Sequence, residues 1–338
     1  MLRKLFFFLG MLLFTGICHA REFPLCAYGV STPQRVRIAK KAGFTCFIGG
    51  AKTLEEYEDL VEEAKKQGMK TVFSPNLIIG SADEKKAQNW PMLAWYLVDE
   101  PDVHKWSRER VKEAHKKAKK AFPNHPTTLV IGRGTTLIPY YDLPDIMMVD
   151  WYPVPHRVLT SFGDNVRQTK KGMEKRGTGT HPLWGVVQMF DWKDYKQYRP
   201  DNDRIGRFPT EEEMRFMSYH GIFNGATGLF YYTLAPAGKV TATEYPNLWK
   251  RVTNVVQELK QLVPILEDGI LVEGPVEVES PLAMQTRVYK GKVYIILINT
   301  SDMQQPVPSA LLEKYYKEMF GREKTSFIPP YGVWVLKY

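Results

Sequence analysis

The chain alternates between strand-like and helix-like segments eight times before residue 264. The strand-like segments are short apolar runs, and the helix-like segments repeat apolar residues three and four positions apart. We predict strands at residues 24–30, 44–49, 71–75, 92–98, 127–131, 146–152, 183–189 and 228–234. We predict helices at residues 33–41, 54–67, 104–122, 158–175, 211–224 and 246–262, with short or irregular connections around 81–89 and 135–143. Gly43, Gly68 and Gly225 are expected to end helices, and Thr210 with Glu213 to form a capping box.

This alternation indicates an α/β fold, and specifically a (β/α)8 barrel, because eight strands with mostly helical crossovers fit about 240 residues. The competing fold is a doubly wound open sheet, which usually carries a glycine-rich phosphate loop after its first strand. Here the segment after the first strand reads Val30-Ser31-Thr32-Pro33 and has no such loop. We therefore predict a barrel over residues 21–266.

The pattern changes after Pro264 to short runs that alternate between apolar and polar residues. We predict strands at residues 270–278, 283–289, 292–299 and 333–338, separated by turn signals such as Lys290-Gly291. These strands indicate a small antiparallel, sandwich-like β-domain over residues 267–338. Its own core is expected to contain Val288, Tyr294, Ile296, Ile298 and Trp334.

Residues 1–20 have the composition of a secretory signal peptide, with Arg3 and Lys4 before a short apolar stretch. We expect cleavage after Ala20 and a secreted or periplasmic protein. Cys18 offers the alternative of lipoprotein anchoring, which we favour less because Ile17 is bulky where such sites need a small residue. We find no second stretch long enough to span a membrane.

The formal net charge of +9 comes mostly from lysines on predicted helices, which indicates solvated outer faces and not a nucleic-acid site. No metal-ligand spacing and no phosphate loop is present, so we expect no metal and no cofactor. We expect a monomer. Cys26 and Cys46 fall at matching positions of the first two strands, and we expect them to be neighbouring, buried free thiols.

The candidate site lies at the carboxyl ends of the strands, where barrels of this kind place their chemistry. The apolar run from Leu93 ends in Asp99-Glu100, and two later strands end in Asp150-Trp151-Tyr152 and in Gln188 followed by Phe190-Asp191-Trp192. The expected catalytic carboxylates are Glu100, Asp99, Asp150 and Asp191, and the expected substrate-binding residues are Tyr28, Trp151, Tyr152, Gln188, Trp192, Tyr231 and Tyr232. Aromatic platforms beside carboxylates and amides suit the apolar faces and hydroxyl edges of sugars. The loop at 199–207 is expected to wall one side of the cleft.

The chain resembles secreted clan A glycoside hydrolases in two strand ends, Trp95-Tyr96-Leu97-Val98-Asp99-Glu100-Pro101 and Asp150-Trp151-Tyr152-Pro153. The signal peptide and the C-terminal β-domain add to this resemblance. The resemblance implies that Glu100 is the acid/base glutamate and that the substrate is a β-linked oligo- or polysaccharide. In that clan the nucleophile is a glutamate that ends the seventh strand. This chain has Gln188 there, and an amide cannot attack an anomeric carbon.

Three explanations for Gln188 remain open. The pair Asp99-Glu100 also resembles substrate-assisted β-N-acetylhexosaminidases, in which the aspartate orients the 2-acetamido group of the substrate as the nucleophile. Alternatively, Asp150 or Asp191 is the nucleophile, or the base of an inverting pair. Thirdly, the barrel binds a glycan without cleaving it. We favour hydrolysis, with Glu100 as the general acid because burial and the Asp99 charge should raise its pKa.

Overall fold

The computed structural model describes residues 22–198 and 206–338, so the predicted signal peptide and part of the 199–207 loop lie outside the described residues. Eight parallel strands close into a barrel in sequence order, which confirms the predicted fold class. The strands are β1 (Leu25–Val30), β2 (Cys46–Gly49), β3 (Lys70–Phe73), β4 (Met92–Tyr96), β5 (Thr127–Ile131), β6 (Ile146–Asp150), β7 (Leu183–Gln188) and β8 (Gly228–Tyr232). Among the described residues, no helix is both long and apolar enough to cross a membrane.

Helices connect most of the strands and cover the outside of the barrel. They are α1 (Pro33–Ala42), α2 (Leu54–Gln67), α3 (Glu84–Ala87), α4 (Arg108–Ala121), α5 (Ser161–Lys175), α6 (Glu211–Phe223), α7 (Thr241–Glu244) and α8 (Pro246–Asp268). The predicted capping box is present: Thr210 Oγ1 accepts from the backbone N–H of Glu213, and the Glu213 carboxylate accepts from that of Thr210. Helix α4 begins four residues later than predicted, because Ser107 caps it and residues 101–105 form turns. Helix α8 runs on through Pro264, so the change in sequence pattern at that proline does not mark a helix end.

The first two strands are joined covalently inside the barrel. Cys26 and Cys46 are register partners, are fully buried, and form a disulfide, so the expectation of free thiols was wrong although the expected proximity was right. Parallel strands in register bring paired Cα atoms close, here to 4.5 Å, which is within the range that a disulfide spans. Two cysteines were too few to signal a disulfide scaffold, and only the register reveals the pair.

Replacing both Cys26 and Cys46 by alanine should lower the free energy of unfolding by about 2–4 kcal/mol, because the bond closes a loop and restricts the unfolded chain. Denaturant unfolding of the oxidised protein and the double variant measures the difference. Alkylation without prior reduction should label neither residue in the wild type. Equal unfolding midpoints would contradict a stabilising role for the bond.

The C-terminal strands are β9 (Ile270–Val272), β10 (Leu282–Tyr289), β11 (Lys292–Asn299), β12 (Gln305–Pro306), β13 (Lys317–Glu318), β14 (Phe327–Ile328) and β15 (Val333–Lys337). They form a five-stranded antiparallel sheet in the order β13-β15-β11-β10-β9 and a separate two-stranded sheet of β12 and β14. The predicted antiparallel segment is therefore confirmed.

The two faces of β11 belong to different cores. Tyr294, Ile296 and Ile298 do share one face, but they pack into the large cluster that covers the outside of the barrel. The separate core of the small sheet is instead built on the other face, from Ile295 and Leu297 with Trp334 of β15. Val288 is only half-buried. The expected core of the β-domain was thus wrong for these four residues and right for Trp334.

A buried ion pair crosses the boundary between the barrel helices and the sheet. Arg215 of α6 donates from Nε to the Glu258 carboxylate of α8 at 2.7 and 2.9 Å. Its Nη1 donates to the carbonyl oxygen of Val333 on β15 at 2.5 Å. Both side chains are buried, so removing either partner would leave a buried charge without its counter-ion.

Candidate active site

Tyrosines and a carboxylate form the innermost layer at the carboxyl end of the barrel. Because side chains alternate along a strand, Ala94 and Met148 point into the barrel, and so do Tyr96 and Asp150 two residues further on. Tyr28 and Tyr232 occupy the same layer from β1 and β8. The mouth of the barrel is therefore polar and aromatic, above an apolar interior.

Glu100 lies directly beyond β4 on an unusual backbone turn. Its φ is +37°, a left-handed conformation that costs a non-glycine residue of order 1–3 kcal/mol. A Cβ built on Gly132 would lie 2.6 Å from Oε1 of Glu100, so only a glycine after β5 leaves space for this carboxyl group. The strained turn and this gap together direct the Glu100 side chain over the barrel mouth.

Asp102 holds the loop after β4 against the loop after β5. Its two carboxylate oxygens accept from the backbone N–H groups of Gly132 and Arg133, each at 3.1 Å. These bonds fix the position of Gly132 and thereby the space that the Glu100 carboxyl group occupies. Asp102 is thus a positioning residue, which the sequence reasoning had not identified.

Glu100 and Asp150 form a carboxyl pair at the mouth of the barrel, in which each side chain is close enough to affect the pKa of the other. Burial, followed by the charge of Asp99, raises the pKa of Glu100. The pKa of Asp150 is raised well above its ordinary value by burial and then by the charges of Glu100 and Asp99. Burial and the neighbouring negative charges therefore favour the protonated forms of both carboxyl groups.

A tyrosine hydroxyl from the inward-facing layer of the barrel contacts Asp99. Tyr96 donates its hydroxyl hydrogen to Oδ1 of Asp99 at 2.5 Å, and Tyr28 lies in the same layer of the barrel. Asp99 itself is exposed to solvent. Burial raises the pKa of both tyrosines, so they remain protonated donors. Asp99 is therefore oriented by Tyr96 at the edge of the mouth.

Aromatic rings line the opposite side of the mouth. Tyr152 stacks on Tyr232 with ring centroids 5.5 Å apart, and Phe190 meets Tyr152 edge-on at 5.0 Å. Trp192 lies 6.2 Å from Tyr152, and Tyr195 lies 4.9 Å from Phe190. The Tyr152 hydroxyl also donates to Oδ2 of Asp150 at 3.1 Å. This wall joins the loops after β6, β7 and β8 around the carboxyl pair.

Two residues expected to bind substrate face away from the mouth. Trp151 follows the inward-facing Asp150, so it points outwards, where its Nε1 donates to Oγ of Ser161 at 2.9 Å. Tyr231 is fully buried and its hydroxyl shares a hydrogen bond of 2.7 Å with Ser218 of α6. Both positions follow from the alternation along a strand, which the list of strand ends had not taken into account.

Gln188 lies at the same end of the barrel as Glu100 but is completely buried. Its Oε1 accepts from the backbone N–H of Val154 at 2.9 Å, and its Nε2 donates to the carbonyl oxygens of Val154 at 2.8 Å and Phe190 at 3.2 Å. The amide is thereby occupied by backbone groups. The expected contact with substrate was wrong, and Gln188 instead fixes the loop after β6.

Gln188→Ala should destabilise the protein by roughly 2–4 kcal/mol, because it leaves buried backbone groups of Val154 and Phe190 without partners. Gln188→Glu should be destabilising too, since a carboxylate cannot donate to the two carbonyl groups. Thermal unfolding of both variants measures this effect. A Gln188→Glu variant of undiminished stability would show that the clamp is not needed.

Asp191 also serves the local structure. Its Oδ1 accepts from the backbone N–H of Lys193 at 2.9 Å, and a Cβ on Gly206 would lie only 1.9 Å from the same oxygen. The carboxylate therefore lies in a tight turn under Gly206, which speaks against its expected role as a nucleophile. The wall expected from residues 199–207 lies largely outside the described residues.

Sequence reasoning missed Tyr96, Asp102 and Gly132. For Tyr96 the signal was available, since it lies two residues after Ala94 on a strand whose inward face ends at the mouth. Asp102 and Gly132 act through contacts between loops, and no periodic pattern reports those contacts. Among the described residues, no group of three or more His, Cys, Asp or Glu side chains is placed to hold a metal ion.

No protein-family model and no curated protein sequence matches the chain. Solved structures do share its architecture. An α-amylase from Geobacillus thermoleovorans, solved with acarbose, has a TM-score of 0.57 at 11% identity and covers 93% of this chain and 98% of its own. Amy13B of Eubacterium rectale gives 0.60 at 10% identity over 94% and 95% of the two chains. A family 5 glycoside hydrolase from Bacteroides vulgatus gives 0.60 at 11% identity over 93% and 88%.

These neighbours are glycoside hydrolases built on a parallel eight-stranded barrel. At such low identity the likeness shows the fold, and the chemistry has to be argued from the residues at the mouth.

Proposed function

We propose that the protein is a glycoside hydrolase in which Glu100 is the general acid. The observation that carries the proposal is the placement of Glu100 on its left-handed turn at the mouth of the barrel, where burial and then the charge of Asp99 raise its pKa, beside stacked aromatic rings. A carboxyl group that stays protonated near neutral pH can donate to a glycosidic oxygen, and nearby carboxylates stabilise the positive charge that develops on the sugar ring.

The geometry favours one of the three explanations for Gln188. A nucleophile or a base has to be ionised, whereas Asp150 is buried, accepts from the Tyr152 hydroxyl, and has a pKa that burial and then the charge of Glu100 raise well above its ordinary value. Asp191 is committed to its turn. We therefore propose that the nucleophile belongs to the substrate, as a 2-acetamido group, and that Asp99 orients it from the mouth edge.

The β-linkage is proposed from the resemblance of the strand ends at Glu100 and Asp150. The shared barrel does not decide the linkage, because an α-amylase and a family 5 enzyme both have it. Export is proposed from the composition of residues 1–20. The Cys26–Cys46 disulfide supports it, because such bonds persist in oxidising compartments.

A screen of chromogenic β-glycosides with and without a 2-acetamido group tests the proposal. We expect turnover of the 2-acetamido compounds only. Turnover of plain glycosides would contradict the substrate-assisted mechanism, and binding without turnover would favour a glycan-binding barrel, the alternative that Gln188 suggests.

A further inference from the structure

The exposed large apolar side chains of the described barrel share one location. They are Leu77, Val103, Leu137 and Val158, with 48%, 53%, 83% and 66% of their surface exposed. Each lies in the loop that follows one of the neighbouring strands β3, β4, β5 and β6. These four residues, here called the apolar rim, therefore follow one side of the barrel mouth. Single exposed apolar residues are common on proteins, but a group confined to one edge marks an interaction site.

The loops that carry the rim are held in place. Besides the bonds of Asp102 to the loop after β5, Arg108 forms a paired contact with the Asp142 carboxylate at 2.6 and 2.7 Å. The carbonyl oxygen of Val158 accepts from Oγ of Ser161 at 2.6 Å. The rim side chains are thus presented to solvent by a fixed frame.

The rim reaches the carboxyl pair. A Cβ on Gly132 would lie 2.8 Å from Cγ2 of Val103 and 2.6 Å from Oε1 of Glu100, so both atoms flank the same glycine. A ligand that covers the rim would therefore be continuous with the part of the substrate that lies beside Glu100 and is cleaved there.

The chemistry of the rim fits an acyl chain better than a sugar. Its side chains are aliphatic, whereas the sugar-sized aromatic rings lie on the other side of the mouth. The same loops carry Lys105, Arg133 and Arg157, which are exposed and have no ion pair within the described part of the chain. Apolar tips interspersed with cations are typical of surfaces that lie on anionic lipids.

We propose that the apolar rim docks the barrel mouth onto an anionic lipid surface, and that the substrate is the sugar head group of a lipid held there. The identity of the substrate rests on the proposed glycosidase function, whereas the docking does not. The full sequence has a formal net charge of +9, and the exported chain stays positively charged after the loss of Arg3 and Lys4, which agrees with an anionic surface.

The test is co-sedimentation of the exported chain with vesicles of phosphatidylglycerol and phosphatidylcholine, compared with phosphatidylcholine alone. We expect binding to the anionic vesicles, weakened by salt. The double variant Leu137→Ser/Val158→Ser should bind about tenfold more weakly, because it removes apolar surface that enters the lipid. The matched control is Leu271→Ser/Met303→Ser, whose side chains are 59% and 68% exposed on the C-terminal sheet, and it should bind like the wild type.

Turnover separates the two proposals. Glu100→Gln should bind vesicles normally, because docking does not use the acid. Leu137→Ser/Val158→Ser should cleave a soluble glycoside at the wild-type rate but a lipid-linked one more slowly. Docking is refuted if the exported chain stays in solution with anionic vesicles, as it would if the rim binds a protein, or if the control variant loses binding and the rim variant does not.

Discussion

Glu100→Gln is expected to slow the hydrolysis of substrates with poor leaving groups by roughly two to four orders of magnitude. The amide preserves the shape of the side chain beside Gly132 but has no proton to give to the departing oxygen. Aryl glycosides with good leaving groups need little protonation and should be affected much less. The ratio of the two losses, measured as kcat/KM with both kinds of substrate, identifies the step that Glu100 serves.

The control is Glu109→Gln, which makes the same change on an exposed glutamate at the start of α4 and should leave both rates unchanged. If Glu100→Gln cleaves an unactivated substrate at the wild-type rate, the acid lies elsewhere. An equal loss with both kinds of substrate would point to a role in binding instead.

Asp150→Asn should lower the activity but raise the stability, because Asp150 is the more deeply buried member of the carboxyl pair. The asparagine amide carries no charge, so Glu100 loses a neighbouring carboxyl group, and this favours the ionised form of Glu100 and lowers its pKa. Glu100 then holds its proton less tightly, and we expect a loss of activity of about two orders of magnitude. The protein should nevertheless become more stable at neutral pH.

The stability gain follows from the sign of the pKa shift. The folded state raises the pKa of Asp150 above its unfolded value of about 3.9, so the folded protein binds the proton more tightly than the unfolded chain. This contribution to stability is complete below the unfolded pKa and is lost as the pH rises through the folded pKa. An asparagine does not titrate, so the variant does not lose this stability as the pH rises. The difference in the free energy of unfolding between the variant and the wild type should therefore grow, in favour of the variant, from acid to neutral pH.

Unfolding measured from pH 4 to 8 for the wild type and the variant tests this expectation. Asp59→Asn, an exposed change on α2, should show no pH-dependent difference from the wild type. A constant difference across the range for Asp150→Asn would mean that burial imposes no cost on the Asp150 charge.

The barrel could be predicted from the sequence because its signals are local. Hydrophobic periodicity marks each strand and helix, and the side chains of Thr210 and Glu213 are only three residues apart. The candidate site was harder to predict from the sequence. Residues at strand ends were identified correctly as a group, but alternation decides which ones face inwards: it places Asp150 and Tyr152 at the mouth and turns Trp151 and Tyr231 away.

Contacts between distant loops were beyond prediction. The clamp that Gln188 forms on Val154 and the one that Asp102 forms on Gly132 depend on the spatial adjacency of strands, and so does the Cys26–Cys46 bond. A single sequence contains the partners of each contact, but only the closed register of the barrel brings them together.

Strand β11 couples the unfolding of the C-terminal sheet to that of the barrel. Its odd-numbered residues, such as Ile295 and Leu297, complete the small sheet, while Ile296 and Ile298 complete the outer layer of the barrel. A slip of one residue would exchange the two sets and spoil both interiors at once. We therefore expect the C-terminal sheet and the barrel to melt in a single calorimetric transition. It follows that this sheet cannot be transferred to another barrel as an independent unit, because one face of β11 packs against this particular barrel.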